Sequence, residues 1–417
     1  MMTDISRRSF LKLLPAALLS LCLPGLKAAS ATSKSDIIFL RQLMAEYPSC
    51  RTIMWHSLQP HGNVQLQYKL NDAAASVSSI SPKTDKFTLG DEDFYICTAR
   101  LESLQPGHIY SYQVIQDNEA SDWQKLSVPA ANQPFKALIF PDSQCSDGYA
   151  TWHNVAETGF SRNADAAFFV NMGDLVDNGA AMFQWRQWFK AIEKHLPQLP
   201  FAPVMGNHET YNLQWLCHLP KAFLSFFALP GNGSLKWQRY YYDFTYGSVH
   251  FIVLNTMMEE LDPLQPGLLD SQLPWLTQVV KASTAKWQVV LMHKDIINYE
   301  AAPTDNPYDS IDPVGRVFMP YFDELNIDLV LTAHQHTYRR HDHIKNFRPA
   351  LDGPVYIDTG NAGNCRYDVP RTRHFDKVML PQPEVDNYLT LTAAETKLTV
   401  NCYSHDGLLM DSCTLAK

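Results

Sequence analysis

Ile327-Asp328-Leu329-Val330-Leu331-Thr332-Ala333-His334-Gln335-His336 carries the reading of this chain. Its apolar part has the length and composition of a buried β-strand, and it ends on two imidazoles spaced i and i+2. In extended chain that spacing aims both side chains off the same side. Four more segments are built alike. The run Ala137 to Phe140 leads into Asp142-Ser143-Gln144, and Ala166 to Asn171 leads into Gly173-Asp174-Leu175-Val176-Asp177. A short apolar run precedes Gly206-Asn207-His208-Glu209, and Trp287 to Met292 ends at His293. Strand ends that share a cleft present side chains in this way. Carboxylates come first and imidazoles last, the order that a two-cation centre requires.

Asp142 and Gln144 are expected to point together from one strand end, and His334 and His336 from another. Asp174 follows a glycine turn that lets its carboxylate reach between two ions, Asn207 offers a neutral oxygen, and His293 adds an imidazole. Oxygen and nitrogen donors without thiolate suit a pair of divalent ions such as zinc, manganese, iron or cobalt. Taken singly, each residue has a plainer reading. A lone His293 is more often a satisfied core histidine, and a lone Asp142 a cap or turn residue. Their joint order carries the inference.

Around these segments, strands and helices alternate. Phe251 to Leu254 reads as a further strand, and Trp185, Trp188, Phe189, Ile192 and Leu196 fall on one helical face. That aromatic stripe is read as core. Ser271, before Gln272-Leu273-Pro274-Trp275-Leu276, reads as a helix cap. Near the end, Leu398 to Cys402 and Leu408 to Asp411 flank Ser404-His405-Asp406-Gly407, a hairpin signal. Three long polar loops are expected to shape a pocket: Met257 to Gly267, Tyr299 to Gly315 and Arg366 to Asn387. Residues 36–128 read instead as a small all-β module, in which Pro106-Gly107 precedes the alternating strand Ile109-Tyr110-Ser111-Tyr112. A tyrosine at such a corner ties the turn to its sandwich. Val128-Pro129-Ala130-Ala131-Asn132-Gln133-Pro134 reads as the boundary to a second domain over 135–417.

The amino terminus has another purpose. Ser6-Arg7-Arg8-Ser9-Phe10-Leu11-Lys12, an apolar stretch from Leu13 to Leu26, and Ala29-Ser30-Ala31 describe an export leader over residues 1–31. The paired arginines resemble a twin-arginine signal, whose route carries folded cargo to the periplasm or beyond. Pro15 and Pro24 interrupt a stretch that is short for a membrane span, so no stable anchor is expected after cleavage. Hydrophobic residues make up 46% of the chain and charged residues 18%, which excludes disorder and allows a large core. A formal net charge of −9 argues against a nucleic acid polymer as partner. A small phosphorylated substrate is compatible with it, because bound cations reverse the sign locally. The cysteine spacing is irregular and defines no disulfide framework, and the oligomeric state is not encoded in any feature of the sequence.

The five donor segments resemble those of the calcineurin-like metallophosphoesterases, in the branch near the purple acid phosphatases. The β-module in front is similar to the fibronectin-type module of that branch, and Tyr356-Ile357-Asp358-Thr359-Gly360-Asn361-Ala362-Gly363 looks like the family's later strand and glycine turn. The resemblance implies an α/β fold, a four-layer αββα sandwich preceded by the small all-β sandwich. It implies one metal on Asp142, Asp174 and His336, with Gln144 inferred as a compensating ligand, and a second on Asp174, Asn207, His293 and His334. It further implies hydrolysis of phosphate mono- or diesters, with a hydroxide between the ions attacking and His208 protonating the leaving oxygen. Arg339 is a candidate for a phosphate contact, with a salt bridge at the rim as its other reading. Two departures matter. The branch has tyrosine three residues after the bridging aspartate, where this chain has Asp177, and glycine where this chain has Gln144. Without a phenolate ligand, no purple colour and no dedicated ferric site are expected. Two other functions stay open: a nucleotide-directed diesterase or nucleotidase using Tyr299, Tyr308 or Tyr367 to stack a base, and a non-catalytic metal-binding scaffold.

Overall fold

Ten strands form the larger sheet, in the order 409–416, 397–404, 387–393, 135–140, 168–171, 201–203, 38–43, 51–57, 92–101 and 83–89. Phe135–Phe140, Phe168–Asn171 and Phe201–Pro203 run parallel at its middle. A second sheet of eight strands has its own parallel centre, made by Val249–Val253, Trp287–Leu291, Leu329–Thr332 and Val355–Asp358. Most residues of these strands are buried on both faces, which is why their sequences are continuous apolar runs rather than alternations. The computed structural model describes residues 36–72, 74–131, 133–299, 306–367, 374–381 and 385–417. The leader expected over residues 1–31 lies outside them.

The two sheets pack face to face through rings. Phe168 meets Phe244 at 5.7 Å and Phe251 at 5.4 Å, and Phe135 meets Tyr246 at 4.9 Å. Helices Ala150–Arg162 and Met182–Ala191 cover the outer face of the larger sheet, with Trp152 against Phe140 and Trp188 against Phe201. On the second sheet, helix Pro313–Glu324 sets Phe322 against Tyr356. Helix, sheet, sheet and helix make the expected four layers. Two local expectations need correction. The helix bearing Trp185, Trp188 and Phe189 ends at Ala191, so Ile192 is its cap and Leu196 packs from the turn beyond. Ser271 lies inside Leu268–Ala282, not at its start. Asp262 Oδ1 accepts from the N–H groups of Gly267 and Leu268, so a carboxylate five residues upstream does the capping.

The front residues build a smaller core between two sheets. Strands 64–70, 78–80, 109–116, 119–120 and 124–127 form a five-stranded sheet. It packs Leu66, Tyr112, Val114 and Leu126 on Ile53, Trp55, Cys97 and Ala99. The Tyr110 hydroxyl accepts from the Gln105 N–H at 3.0 Å, the corner tie expected there. Alternation then does something the linear pattern did not announce. Ile53 and Trp55 face this small core, whereas Met54 joins the large one, so Arg51–Ser57 is buried along its whole length. Ile38–Leu43 pairs antiparallel with it and parallel with Phe201–Pro203, through Leu43 and Phe201. The front sandwich thus shares a continuous sheet with the strands that carry the donors. All seven described cysteines are free thiols.

Candidate metal centre

Five loops at the carboxyl ends of the parallel strands meet where the two sheets converge. Backbone of unusual form places the donors. Gly173 has φ +108, and Asp174, His334 and His336 have φ of 49, 74 and 54. Left-handed backbone costs a non-glycine residue about 1–3 kcal/mol and persists only where its surroundings fix it. Here the His334 N–H donates to both carboxylate oxygens of Asp142, at 3.1 and 3.2 Å. The strand ends at Thr332, so left-handed turns rather than extended alternation aim the two imidazoles. Glycines make room. A Cβ on Gly173 would lie 2.4 Å from His293 Nδ1, and one on Gly206 2.1 Å from Asp174 Oδ1.

All seven expected donors come together. Asp142, Asp174 and His336 form one group whose ligand atoms lie within 4.8 Å of one another. Asp174, His293 and His334 form a second on the same criterion, so Asp174 is common to both. Asn207 Oδ1 lies 3.1 Å from His293 Nε2. The Gln144 amide nitrogen lies 3.2 Å from His336 Nε2 and 3.5 Å from Asp174 Oδ2.

Proton positions decide what this arrangement can hold. His293 Nδ1 faces the Met172 carbonyl at 2.9 Å, and His336 Nδ1 faces the Cys365 carbonyl at 3.1 Å. A carbonyl only accepts, so both Nδ1 atoms carry the proton and both Nε2 lone pairs point into the site. There they meet further acceptors. His336 Nε2 is 2.9 Å from Asp142 Oδ2, and His293 Nε2 is 3.2 Å from Asp174 Oδ2. Lone pairs at that distance repel unless a proton or a cation lies between them. Gln144 Oε1 and His334 Nδ1 are also buried with no hydrogen-bond partner among the described residues. Turning the Gln144 amide over puts its oxygen where its nitrogen stands, adding one more donor to the first group. The donor set fits two hard or borderline divalent cations.

Electrostatics agree. Burial opposes a charge on His293, yet the carboxylates of Asp174 and Asp142 outweigh it and push the imidazole up to about 10. Without metal, then, a proton takes the cation's place. Burial and the neighbouring His293 charge push His334 down to about 3, leaving it a neutral donor. Burial works against the Asp174 carboxylate, but the surrounding imidazoles, His293 first, hold it ionised well below the ordinary range.

His208 stands beside these groups without joining them. Its Nδ1 donates to the Asp177 carbonyl at 2.8 Å, which turns Nε2 toward Asp174 Oδ2, 3.7 Å away. Burial lowers its basicity, but Asp174 and then the Asp177 carbonyl and carboxylate raise it above the ordinary value. Asp177 therefore orients the imidazole. Glu209 has a bracing role that its motif does not announce. Its carboxylate accepts from the N–H groups of Gly206, Asp174 and Leu175 at 2.8–3.0 Å, holding together the two loops that carry Asp174 and Asn207. Burial, then the Asp174 charge, pushes it up to about 7. The signal lay in an acid directly after glycine-turn donors, whose unpaired N–H groups need an acceptor.

Of the two readings of Arg339 the salt bridge is realised, though in the interior and not at the rim: the side chain is fully buried, its Nη1 bonds Asp376 at 2.6 Å, and its guanidinium lies 3.9 Å from the Tyr299 ring centre. The Tyr299 hydroxyl lies 3.2 Å from His341 Nε2. Tyr308 packs on Phe347 and Arg316, away from the donors. Tyr367 stacks on His336 at 4.4 Å, and Tyr299 lines the cavity that opens beside His334. That cavity, of about 300 Å³, is also lined by Glu259, Lys294, Asp295, Asn298 and Asp312. Among the described residues, no helix is long and apolar enough to cross a membrane.

Two packed parallel-centred sheets with seven nitrogen and oxygen donors at their joined strand ends define a metallophosphoesterase scaffold. The chain belongs to the calcineurin-like phosphoesterase family, whose pattern matches residues 120–338, and residues 43–127 match the purple acid phosphatase N-terminal domain. It is 24% identical over 309 residues to "Probable purple acid phosphatase 20" of Arabidopsis thaliana, across 72% of this chain and 67% of that protein. To "Purple acid phosphatase 23" of the same plant it is 28% identical over 184 residues, 43% of this chain but only 38% of that one. In fold it is similar to a purple acid phosphatase from yellow lupin (Lupinus luteus) seeds, with a TM-score of 0.77 at 17% identity over 91% of this chain and 74% of that one.

Proposed function

We propose that this chain is an exported phosphoesterase that uses two divalent cations to hydrolyse small phosphate mono- or diesters. One observation supports this above the rest: donor lone pairs converge on two adjacent points, with the histidine protons fixed on the far side. In this reading Asp142, Gln144, Asp174 and His336 hold one ion, and Asp174, Asn207, His293 and His334 hold the other. When bound, such ions neutralise the ester's charge and yield a nucleophile from water near neutral pH. The chain supplies the rest. His208, oriented by the Asp177 carbonyl, gives its Nε2 proton to the departing oxygen. Asp177 keeps the imidazole basic enough to carry that proton when cations on Asp174 have cancelled the latter's pull. The net charge of −9 suits a small ester rather than a nucleic acid polymer.

The division into a leader over 1–31, a front sandwich over 36–128 and a catalytic domain over 135–417 belongs to the same proposal. So does export by the twin-arginine route, which the Arg7-Arg8 segment supports. The test begins with elemental analysis of purified protein, expected to give two equivalents of zinc, manganese or iron. Turnover of aryl phosphate against bis-aryl phosphate then sorts monoester from diester use. His208→Asn is expected to slow esters of poorly acidic alcohols by about 10²–10⁴ while sparing those of acidic phenols. Equal slowing of both classes would refute the proton-donor role.

A further inference from the structure

The loop after the Gly206–Glu209 segment contains an unexplained aromatic. Tyr211 and Cys217 pair across its base, and Asn212 Oδ1 accepts from the N–H groups of Gln214 and Leu216. This wiring holds Trp215 at φ 59, left-handed backbone that a bulky residue rarely adopts. The strained residue is also 56% exposed, between Leu213 and Leu216, which are exposed as well. A tryptophan with that much surface in water gains little from burial, so packing alone gives no reason for the strain. Its position does. The indole stands perpendicular to the His208 imidazole, 5.5 Å between centres, and Tyr211 lies 5.8 Å from the same imidazole at 76°. Trp215 and Tyr211 are themselves 6.0 Å apart, so His208 occupies an aromatic corner with one wall facing solvent.

We infer that Trp215 is the wall of a leaving-group subsite that selects esters whose departing alcohol is a planar aromatic ring. The inference rests on the phosphoesterase reading, because a proton from His208 places the departing group beside this corner. A ring attached directly to the ester oxygen then meets the indole, whereas an aliphatic alcohol leaves that surface wet. Stacking of this kind changes affinity roughly three- to tenfold. It also grows with ring area.

The experiment compares 2-naphthyl phosphate with phenyl phosphate, whose departing phenols are of similar acidity, on the metal-loaded full chain. Wild type is expected to favour the naphthyl ester in kcat/KM by roughly three- to tenfold, mainly through KM. Trp215→Ala is expected to bring that ratio near one, and Trp215→Phe to restore part of it. Calorimetric binding of 2-naphthylphosphonate against phenylphosphonate, which are not hydrolysed, is expected to show the same loss. An unchanged ratio in Trp215→Ala overturns the subsite. So does an equal fall for both esters with equal phosphonate binding, because Trp215 would then only position His208. Wild type that binds two equivalents of metal yet cleaves neither ester overturns the phosphoesterase reading and the subsite with it.

Discussion

The two proposed cation positions share Asp174 and differ in almost everything else. The first is closed and carboxylate-rich: Asp142, Asp174 and His336 are buried, and the neutral amide of Gln144 completes the set. The second is imidazole-rich, with His293 and His334 around one shared carboxylate and the Asn207 oxygen. His334 also borders the open cavity beside the site. Two carboxylates in a closed pocket bind a cation by charge, and their hold is little screened. One shared carboxylate and neutral donors next to solvent bind it by directed lone pairs and let it exchange. On the proposed reading, the first position would retain its ion more firmly and the second would face substrate.

The harshest way to break this contrast is to remove what the positions share. Asp174→Asn is expected to empty both positions and lower turnover about a thousandfold or more, measured by elemental analysis beside kinetics. One equivalent of metal left in that variant would show that Asp174 does not bridge. Next, graded chelation of wild type is expected to release metal in two phases. His334→Ala should delete the fast phase and His336→Ala the slow one, with activity falling roughly a hundredfold in each. Release in a single phase would erase the distinction. Gln144→Leu, a finer probe, is expected to weaken the first position alone by about 10- to 100-fold. The smallest effect lies far from both ions. His61 is bonded to Asp36 and Asp117, and although burial opposes its charge, Asp117 and then Asp36 raise its basicity above the ordinary value. A raised histidine stabilises the fold fully below its unfolded pKa of about 6.5 and loses that effect as pH climbs through the raised value. His61→Gln should therefore cost stability at pH 5.5 and little at pH 9 in denaturant melts, without touching metal content.

Legibility tracked the range of the forces involved. The parallel strands and their terminal donors were visible because burial on both faces writes an apolar run and cleft chemistry writes a donor after it, as in Leu329 to His336. Ser271 misled because its capping partner is replaced by Asp262, an acceptor contributed by a preceding loop. The Arg339 salt bridge was anticipated but not its burial, since only the fold brings Asp376 and Tyr299 to it. Glu209 was visible in its motif but unassigned, because backbone N–H groups have no letter in a sequence. The pairing of Leu43 with Phe201 joins residues far apart in the chain, and nothing local encodes it. Trp215 is a single letter in a polar loop, meaningful only once its ring is set beside His208.

That pairing has a consequence for how such a protein can be cut or recombined. Phe201–Pro203 leads straight into Asn207 and His208, and one of its flanks is closed by Ile38–Leu43. Deleting the front hundred residues would leave a bare, apolar strand flank open to the pairing that seeds aggregates. The amino-terminal sandwich is thus a buttress and not detachable cargo. Swapping it between relatives should succeed only when the donor brings its own matching first strand.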